Sequence, residues 1–508
     1  MKLWSPTQIL EWDLITCRTE GITSIELMYR AASKWVQSFT KYYPKRFSVL
    51  VVVGPGNNGG DGLVIASLLY ELGYTVKIYA VHPSVTKSDD ALFYYHELVE
   101  KSKIEICYFP QSPQDVFMTL SSPSVVVDAL FGIGLSRNIR GAYQEVVEWM
   151  NRIVEPIVSV DVPSGLSLRN FKKQSGSIVQ ATHTFTFEVP KVDFFFPENA
   201  PLIGELCTIP IGLTENGLDG ETPICEYITI SWITSHLIAP KRYSHKGTYG
   251  HAMIIAGSEG MMGASILACK GALSGGCGLI TTHIPNSYET LIHQSVPELL
   301  VSSDESNQCF SSLPKMDGIK AIGIGPGLGQ SAITQEALYL LMRKYHYPMV
   351  LDADALNILS DNPDWLIEIP GNSILTPHLK EFDRLFGTSF DTWERIEKAK
   401  RIAIFYRINI LIKGKNSIIV DRYGSWSINS SGNSVLSKGG SGDVLTGLIT
   451  SLIARGYRAE VALRLGVWIH GKAGDVFAAQ GDNVSLNIST LPTYIGRVWE
   501  LLQNSSSK

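Results

Sequence analysis

The chain has 508 residues, well beyond one ordinary domain of roughly 100–200 residues, so two or three separate cores are expected. Its 45% hydrophobic and 18% charged residues exclude wholesale disorder. Lys and Arg number 43 against 48 Asp and Glu, and neither sign forms a long run. That removes the case for a nucleic-acid or membrane-surface footprint and favours a small-molecule partner.

Seven cysteines (17, 107, 207, 225, 269, 277 and 309) are scattered without a C-x-x-C pair, the usage of a reducing compartment. The start MKLWSPTQILEWD places Glu11 and Asp13 where a signal peptide needs its apolar stretch, and no apolar run approaches the ~18 residues of a membrane span. A cytoplasmic protein is expected.

Along the chain, short apolar runs at 47–53, 75–80, 124–130, 157–162 and 183–188 alternate with amphipathic stretches, the first followed by a Gly-rich turn and a helix over 63–72. The runs are continuous rather than alternating, as in parallel strands buried on both faces. Turn formers fill 213–226, where the first domain (1–213) gives way through a linker (214–226) to a second (227–501). Strands are expected there at 252–256, 279–283, 321–324, 349–352, 408–413 and 417–420, and residues 502–508 form a frayed Ser-rich tail.

The first Gly-rich segment is GPGNNGGDG (54–62). Its glycines permit close approach of backbone to a ligand, and a helix start exposes N–H groups to phosphate. Asn57, Asn58 and Asp61 add oxygens that neither the dinucleotide fingerprint nor the lysine-bearing triphosphate loop carries, which makes a hard cation plausible. Asp128 ends one strand and opens DALFGIG; Asp161 ends another and opens DVPSG. In an open parallel sheet these strand ends share one rim, although either aspartate alone reads equally well as a cap.

NNGGDG, DALFGIG and DVPSG, in this order, resemble the NAD(P)H-hydrate epimerase family over roughly 10–213. The resemblance implies a Rossmann-like three-layer α/β/α fold. It implies phosphate contacts from Asn57, Asn58, Gly59, Gly60 and Asp61 and from Gly132, Ile133, Gly134, Leu135, Ser136, Arg137 and Asn138. It further implies a potassium ion on Asn58, Asp128 and Ser164, and substrate contact by Asp161. Asp161 is also the candidate for proton transfer, because inverting the hydroxyl-bearing carbon requires the hydroxyl to leave and return.

The second half carries SKGGSGDVLTGLITSLIARG (437–456), a Gly-rich loop entering an apolar helix. The N–H groups of Gly440, Ser441 and Gly442 can converge on a phosphoryl oxygen, and Asp443 can take a proton from an acceptor hydroxyl, unless it is only a cap. G-x-G-D before a helix resembles the ribokinase-like superfamily, which fixes an α/β fold and a phosphate site but no function.

Further landmarks are SHKGTYGHAMIIAGS (244–258), GIGPGLG (323–329), LDADALN (351–357), TPHLKEFDRL (376–385), IKGKNSIIV (412–420) and HGKAGD (470–475). Together they are similar to the ADP- or ATP-dependent NAD(P)H-hydrate dehydratase family over roughly 227–501. The likeness implies hydrate contacts from Ala252, Gly327, His378 and Asp443, and nucleotide contacts from Lys413, Gly414, Lys415, Asn416, Ser417 and Gly442. ADP or ATP would be the phosphoryl donor, with a magnesium ion; Asp352 and Asp354 read equally well as its ligands or as turn formers.

The implied chemistry is repair of hydrated NADH and NADPH (NADHX and NADPHX): epimerisation, then dehydration by phosphorylating the hydroxyl and eliminating phosphate. Both families suggest a homo-oligomer. A vitamin or sugar kinase and a partner-binding scaffold are the rivals. The fused amino-terminal motifs argue against the first, and retention of Asp61, Asp161 and Asp443 against the second. Lys241, Arg242, Tyr243 and Tyr249 have no assigned contact.

Overall fold

The computed structural model describes residues 1–81, 88–101, 103–135, 137–168, 176–215, 217–239, 243–482 and 484–506, in two compact units that meet between Ile224 and Cys225. Ser136, Lys241 and Arg242 lie outside the described residues.

In the amino-terminal unit the strands are β1 (Ser48–Val53), β2 (Val76–Ala80), β3 (Glu105–Tyr108), β4 (Ser124–Ala129), β5 (Ile157–Val160), β6 (His183–Phe187) and β7 (Glu205–Ile209). They form one parallel sheet in the order β3-β2-β1-β4-β5-β6-β7. The unbroken apolar run of β1 has a direct cause: Val49, Val51 and Val53 enter one core with the helices Ser24–Tyr42 and Asn57–Glu71, while Leu50 and Val52 enter another with Ala142–Met150. This is the expected three-layer α/β/α arrangement.

From β1 the chain builds outward to β3, then returns to add β4 on the other side. The crevice at such a reversal lies over the carboxyl ends of β1 and β4. Helix Asn57–Glu71 begins six residues before the expected 63, so Asn57 to Asp61 form its first turns rather than a loop. Glycine makes this possible, because a Cβ on Gly59 would stand 2.0 Å from the Gly54 carbonyl oxygen.

The segment expected to be a linker packs on this unit instead: Leu218 is buried with Trp4, Ile9 and Val189, and Thr214 accepts the Trp12 indole N–H at 2.8 Å.

The carboxy-terminal unit contains β8 (Cys225–Ile228), β9 (His251–Ile255), β10 (Leu279–Ile284), β11 (Leu300–Ser303), β12 (Ala321–Ile324), β13 (Met349–Leu351), β14 (Ile374–Leu375), β15 (Asn409–Ile412), β16 (Ile418–Val420) and β17 (Trp426–Asn429). Their order is β8-β17-β16-β15-β14-β13-β12-β9-β10-β11, parallel from β15 to β11, with β16 antiparallel to both neighbours. The reversal falls between β9 and β12, where the loops after both strands meet through Gly257 N–H donating to the Pro326 carbonyl at 2.9 Å.

Helices Met262–Gly275 and Ser441–Ala454 cross at two mutual glycine contacts. A Cβ on Gly447 would lie 1.8 Å from the Ala268 oxygen, and one on Gly271 would lie 2.1 Å from the Val444 oxygen. The last helix, Leu491–Ser506, extends through most of the expected tail, anchored by Leu502 in the core.

Gly447→Ala therefore forces two backbones apart. We expect a loss of roughly 1–3 kcal/mol, read as a lower denaturation midpoint in urea at unchanged m-value; an unshifted midpoint would contradict the crossing.

Candidate functional sites

The reversal in the amino-terminal sheet opens into a cavity of about 1530 Å³, above the 300–1,000 Å³ usual for drug-sized ligands and in the range of a dinucleotide. Asn57, Asn58 and Asp61 line it from the first turns of their helix. Gly132, Ile133, Gly134, Leu135, Arg137 and Asn138 line it from the loop after β4, and Asp161 from the end of β5. Gly59 and Gly60 are buried behind this wall rather than on it.

Asp161 sits at φ +64°, a left-handed conformation that a non-glycine residue adopts at a cost of order 1–3 kcal/mol, compensated by its surroundings. Its Oδ1 accepts from Lys191 Nζ (2.5 Å), Thr186 Oγ1 (3.0 Å) and the Phe187 N–H (3.0 Å), while none of these bonds uses Oδ2. Lys191 is a buried cation that sequence reasoning missed. Its signal was a lysine four residues after the end of β6, beyond Pro190, with nothing local to mark burial. Removing one partner of such a pair costs about 3–5 kcal/mol.

Burial drives Asp61 well above the usual carboxylate range, and the negative charges of Asp161, Asp13 and Asp90 reinforce it.

Behind the cavity wall, Asp128 is fully buried at the end of β4. Its Oδ1 accepts the Ser164 hydroxyl at 2.6 Å, and its Oδ2 accepts the Ser159 hydroxyl (2.8 Å) and the Ser164 N–H (2.9 Å). Burial raises its pKa, opposed by those hydrogen bonds. Asn58 Oδ1 lies against Gly132, where a Cβ would come within 3.2 Å, and its buried Nδ2 has no hydrogen-bond partner among the described residues. Asn58 and the Asp128–Ser164 pair thus approach the same loop from two sides, offering one carboxylate and several neutral oxygens. This donor chemistry fits a monovalent hard cation, and among the described residues no three His, Cys, Asp or Glu side chains converge as a metal-binding group.

In the second unit Gly440 at φ +89° turns the chain into helix Ser441–Ala454, with Asp443 in the first turn. Burial first, then the negative charge of Asp352, raises Asp443 to about 6, against the lowering effect of Lys413. Asp352 is itself occupied: Oδ1 accepts Lys413 Nζ and Oδ2 accepts Thr446 Oγ1, both at 2.7 Å. Asp354 accepts the Gly329 N–H and the Gln330 amide, fixing the glycine loop. Between the two aspartates Ala353 stands at φ +47°. Asp352 thus ties the strand end to Lys413 and Thr446, while Asp354 holds the glycine loop.

Lys413 to Ser417 form the hairpin loop between β15 and β16, and a Cβ on Gly442 would lie 3.5 Å from Lys413 Nζ. Ser417 Oγ bonds within its own loop to Gly414, while Lys415 is exposed. His378 adjoins Lys413 through a parallel bridge and caps the next helix, its Nδ1 accepting the N–H groups of Lys380 and Glu381. That cap puts the proton of a neutral ring on Nε2.

Gly327, at φ +58°, faces Ala264. Ala252 is not brought to this site. It is 0% exposed in the core between β9 and the overlying helices, with no surface to offer a ligand, and Ala264 takes the position beside Gly327. Tyr249, unassigned from sequence, lies under the Arg455 guanidinium.

His470, in HGKAGD, is buried with Nε2 3.0 Å from the Ser441 carbonyl oxygen and steadies the phosphate-type loop; burial lowers it to about 4. The unfolded chain therefore binds this proton first. Stability should fall by roughly 2–4 kcal/mol as pH drops from about 6.5 to 4, and His470→Gln should flatten that slope in urea titrations. An unchanged slope would refute the assignment.

Two family models match the chain: one described as YjeF-related protein N-terminus over residues 24–192, and one described as NAD(P)H-hydrate dehydratase over 252–497. A protein of Moorella thermoacetica named bifunctional NAD(P)H-hydrate repair enzyme Nnr is 31% identical, over 94% of this chain and 93% of its own. The protein of the same name from Escherichia coli is 32% identical over 91% and 86%. A crystal structure of the Bacillus subtilis ADP/ATP-dependent NAD(P)H-hydrate dehydratase, co-crystallised with ATP and Mg²⁺, is 29% identical, covering 55% of this chain and 99% of that one at a TM-score of 0.47.

Proposed function

The chain belongs to the family of bifunctional NAD(P)H-hydrate repair enzymes, and we infer from its two sites that it carries out both halves of that repair. The amino-terminal unit interconverts the R and S epimers of hydrated NADH and NADPH, and the carboxy-terminal unit dehydrates the S epimer at the expense of ADP or ATP. One observation carries this reading: a dinucleotide-sized cavity containing an ion-paired aspartate and a glycine-fronted helix N-terminus bearing Asp443 occur in the same chain.

In the first unit the helix-start N–H groups around Asn57 and the glycine loop at 132–135 suit the phosphates of the dinucleotide. Asp161, with Oδ1 committed to Lys191, has Oδ2 left to exchange a proton with the substrate's hydroxyl or with water. Asn58, Asp128 and Ser164 would hold a potassium ion, whose positive charge would offset burial of the Asp128 carboxylate and brace the 132–135 loop.

In the second unit the N–H groups of Gly440, Ser441 and Gly442 suit the transferring phosphoryl group, and Lys413 brings positive charge to the nucleotide side. Asp443 accepts the proton of the hydrate's hydroxyl as its oxygen gains phosphorus. Hydroxide is a poor leaving group near neutral pH. Once esterified, the same oxygen departs as phosphate, and loss of the neighbouring ring proton restores the conjugated dihydropyridine. A magnesium ion accompanying the nucleotide would supply charge neutralisation to its phosphates. His378, whose Nε2 lies 3.4 Å from Glu381 Oε1, would contact the hydrate beside Lys413.

The test is a separation of activities in the full chain. With both epimers, nucleotide, potassium and magnesium, all hydrate should return as NAD(P)H. Asp161→Asn, which tolerates the left-handed backbone, should slow epimer interconversion by roughly 10²–10⁴-fold and still consume the S epimer. Asp443→Asn should do the reverse. In the unaltered chain, dehydration should rise with pH through about 6 as Asp443 becomes the base. Normal rates in either variant would overturn the assigned role, and a stable phosphorylated product would favour a simple kinase.

A further inference from the structure

Besides Asp161, the amino-terminal cavity is lined by Asp13, Asp61, Asp90 and Glu188, none of which transfers a proton in the reading above. Helix Pro6–Glu20 borders the cavity, its start fixed by a Ser5–Gln8 capping box and its rotation fixed by the Trp12 bond to Thr214. The cavity face of this helix is Ile9, Leu10, Asp13, Leu14 and Cys17, helical spacing that is apolar except for one aspartate. An acidic group on such a stripe is unexpected unless it has a task. Among the described residues, neither Asp13 oxygen makes a hydrogen bond or an ion pair.

The charged groups around it come from four directions. Asp161, Glu188 and Lys191 stand at the strand ends, Asp61 on helix Asn57–Glu71, Asp90 on helix Asp89–Lys101, and Arg137 and Arg140 on the loop after β4. Burial, then the charge of Asp161, raises Asp13 to about 7, with Lys191 opposing. Among the carboxyls of this cavity, Asp161 and Asp13 are therefore in opposite circumstances: Asp161 is committed to a cation, and Asp13 has no counter-charge of its own. Environments that separate two carboxyls in this way divide acid from base.

Resting on the epimerase reading, we propose that Asp13 is a catalytic residue of the epimerisation, the acid that protonates the departing hydroxyl while Asp161 serves as the base for the returning water. The Asp13 proton passes to the hydroxyl oxygen, the carbon–oxygen bond breaks, and its electron pair leaves with water. The lone pair of the adjacent ring nitrogen closes a carbon–nitrogen double bond. Water then adds to the opposite face, the double-bond pair returns to nitrogen, and the surplus proton goes to Asp161. One proton has moved from Asp13 to Asp161, and exchange with solvent or the reverse turnover resets the pair. Inversion needs access from two faces, which a helix wall and a strand-end wall supply.

The experiment uses the full chain with separated epimers of NADPH hydrate. Asp13→Asn should slow epimerisation by about 100-fold or more, leave consumption of the S epimer unchanged, and preserve NADPH protection of the loop at 132–135 against hydrogen exchange. The unaltered chain should lose epimerisation rate as pH rises above about 7, and Asp13→Asn should lack that limb. Asp13→Glu should restore part of the rate and the limb. A rate for Asp13→Asn within about threefold of the unaltered chain overturns the proposal, as does a slow variant that keeps the limb. If Asp13→Asn loses NADPH protection, Asp13→Glu decides: restored rate supports the acid role, and none refutes it. Failure of the unaltered chain to interconvert the epimers would instead overturn the epimerase reading.

Discussion

Both units of this chain depend on the same constraint: an aspartate must be kept in a water-poor place at the carboxyl end of a parallel sheet, where backbone N–H groups of a following helix point the same way. Burying a carboxylate is costly unless it is paired or hydrogen-bonded. The surrounding architecture follows from meeting that cost incompletely. Asp128 meets it through Ser159, Ser164 and backbone donors, and Asp161 through Lys191 and Thr186. Asp443 does not meet it fully, and burial raises it to about 6. The incompletely compensated groups are those suited to hold a proton near neutral pH and give it up.

Glycine is the means by which the backbone comes close enough. In the first unit Gly59 lets a helix start against the Gly54 carbonyl, so that its N–H groups face the crevice. In the second, the reciprocal Gly447 and Gly271 contacts seat the helix carrying Asp443 on its neighbour. Three of the five non-glycine residues at positive φ among the described residues lie beside the same features: Asp161 and Glu188 in the first unit, Ala353 between Asp352 and Asp354 in the second. Backbone strain at these positions is the local counterpart of buried charge, and both are offset by the cores beneath.

Much of this was legible in the residue order. Interior strands buried on both faces, such as β1 and β4, announce themselves as continuous apolar runs. Strands such as β3, β7 and β11 did not, because they are short and half-exposed, and β14 has only two residues. The Gly-rich segments and their aspartates were legible because glycine and aspartate together have few structural uses. Asp13 and Lys191 were not, since neither belongs to a glycine motif and their proximity to Asp161 exists only after folding. Ala252 was misplaced because an alanine in an apolar run carries no sign of which wall it faces, whereas the structure puts Ala264 beside Gly327. The segment at 214–224 reads as a linker from its turn formers, yet Leu218 and Thr214 bind it to the first unit.

The most direct test of the shared constraint is a pH titration of isotope-labelled aspartate carboxyl carbons in the intact chain by nuclear magnetic resonance. The account requires resonances with midpoints near 6 and near 7, the first absent from Asp443→Asn and the second from Asp13→Asn. If every aspartate completed its titration below about pH 5, near the range of solvent-exposed carboxyls, Asp443 and Asp13 would be ordinary surface acids and the account would fail.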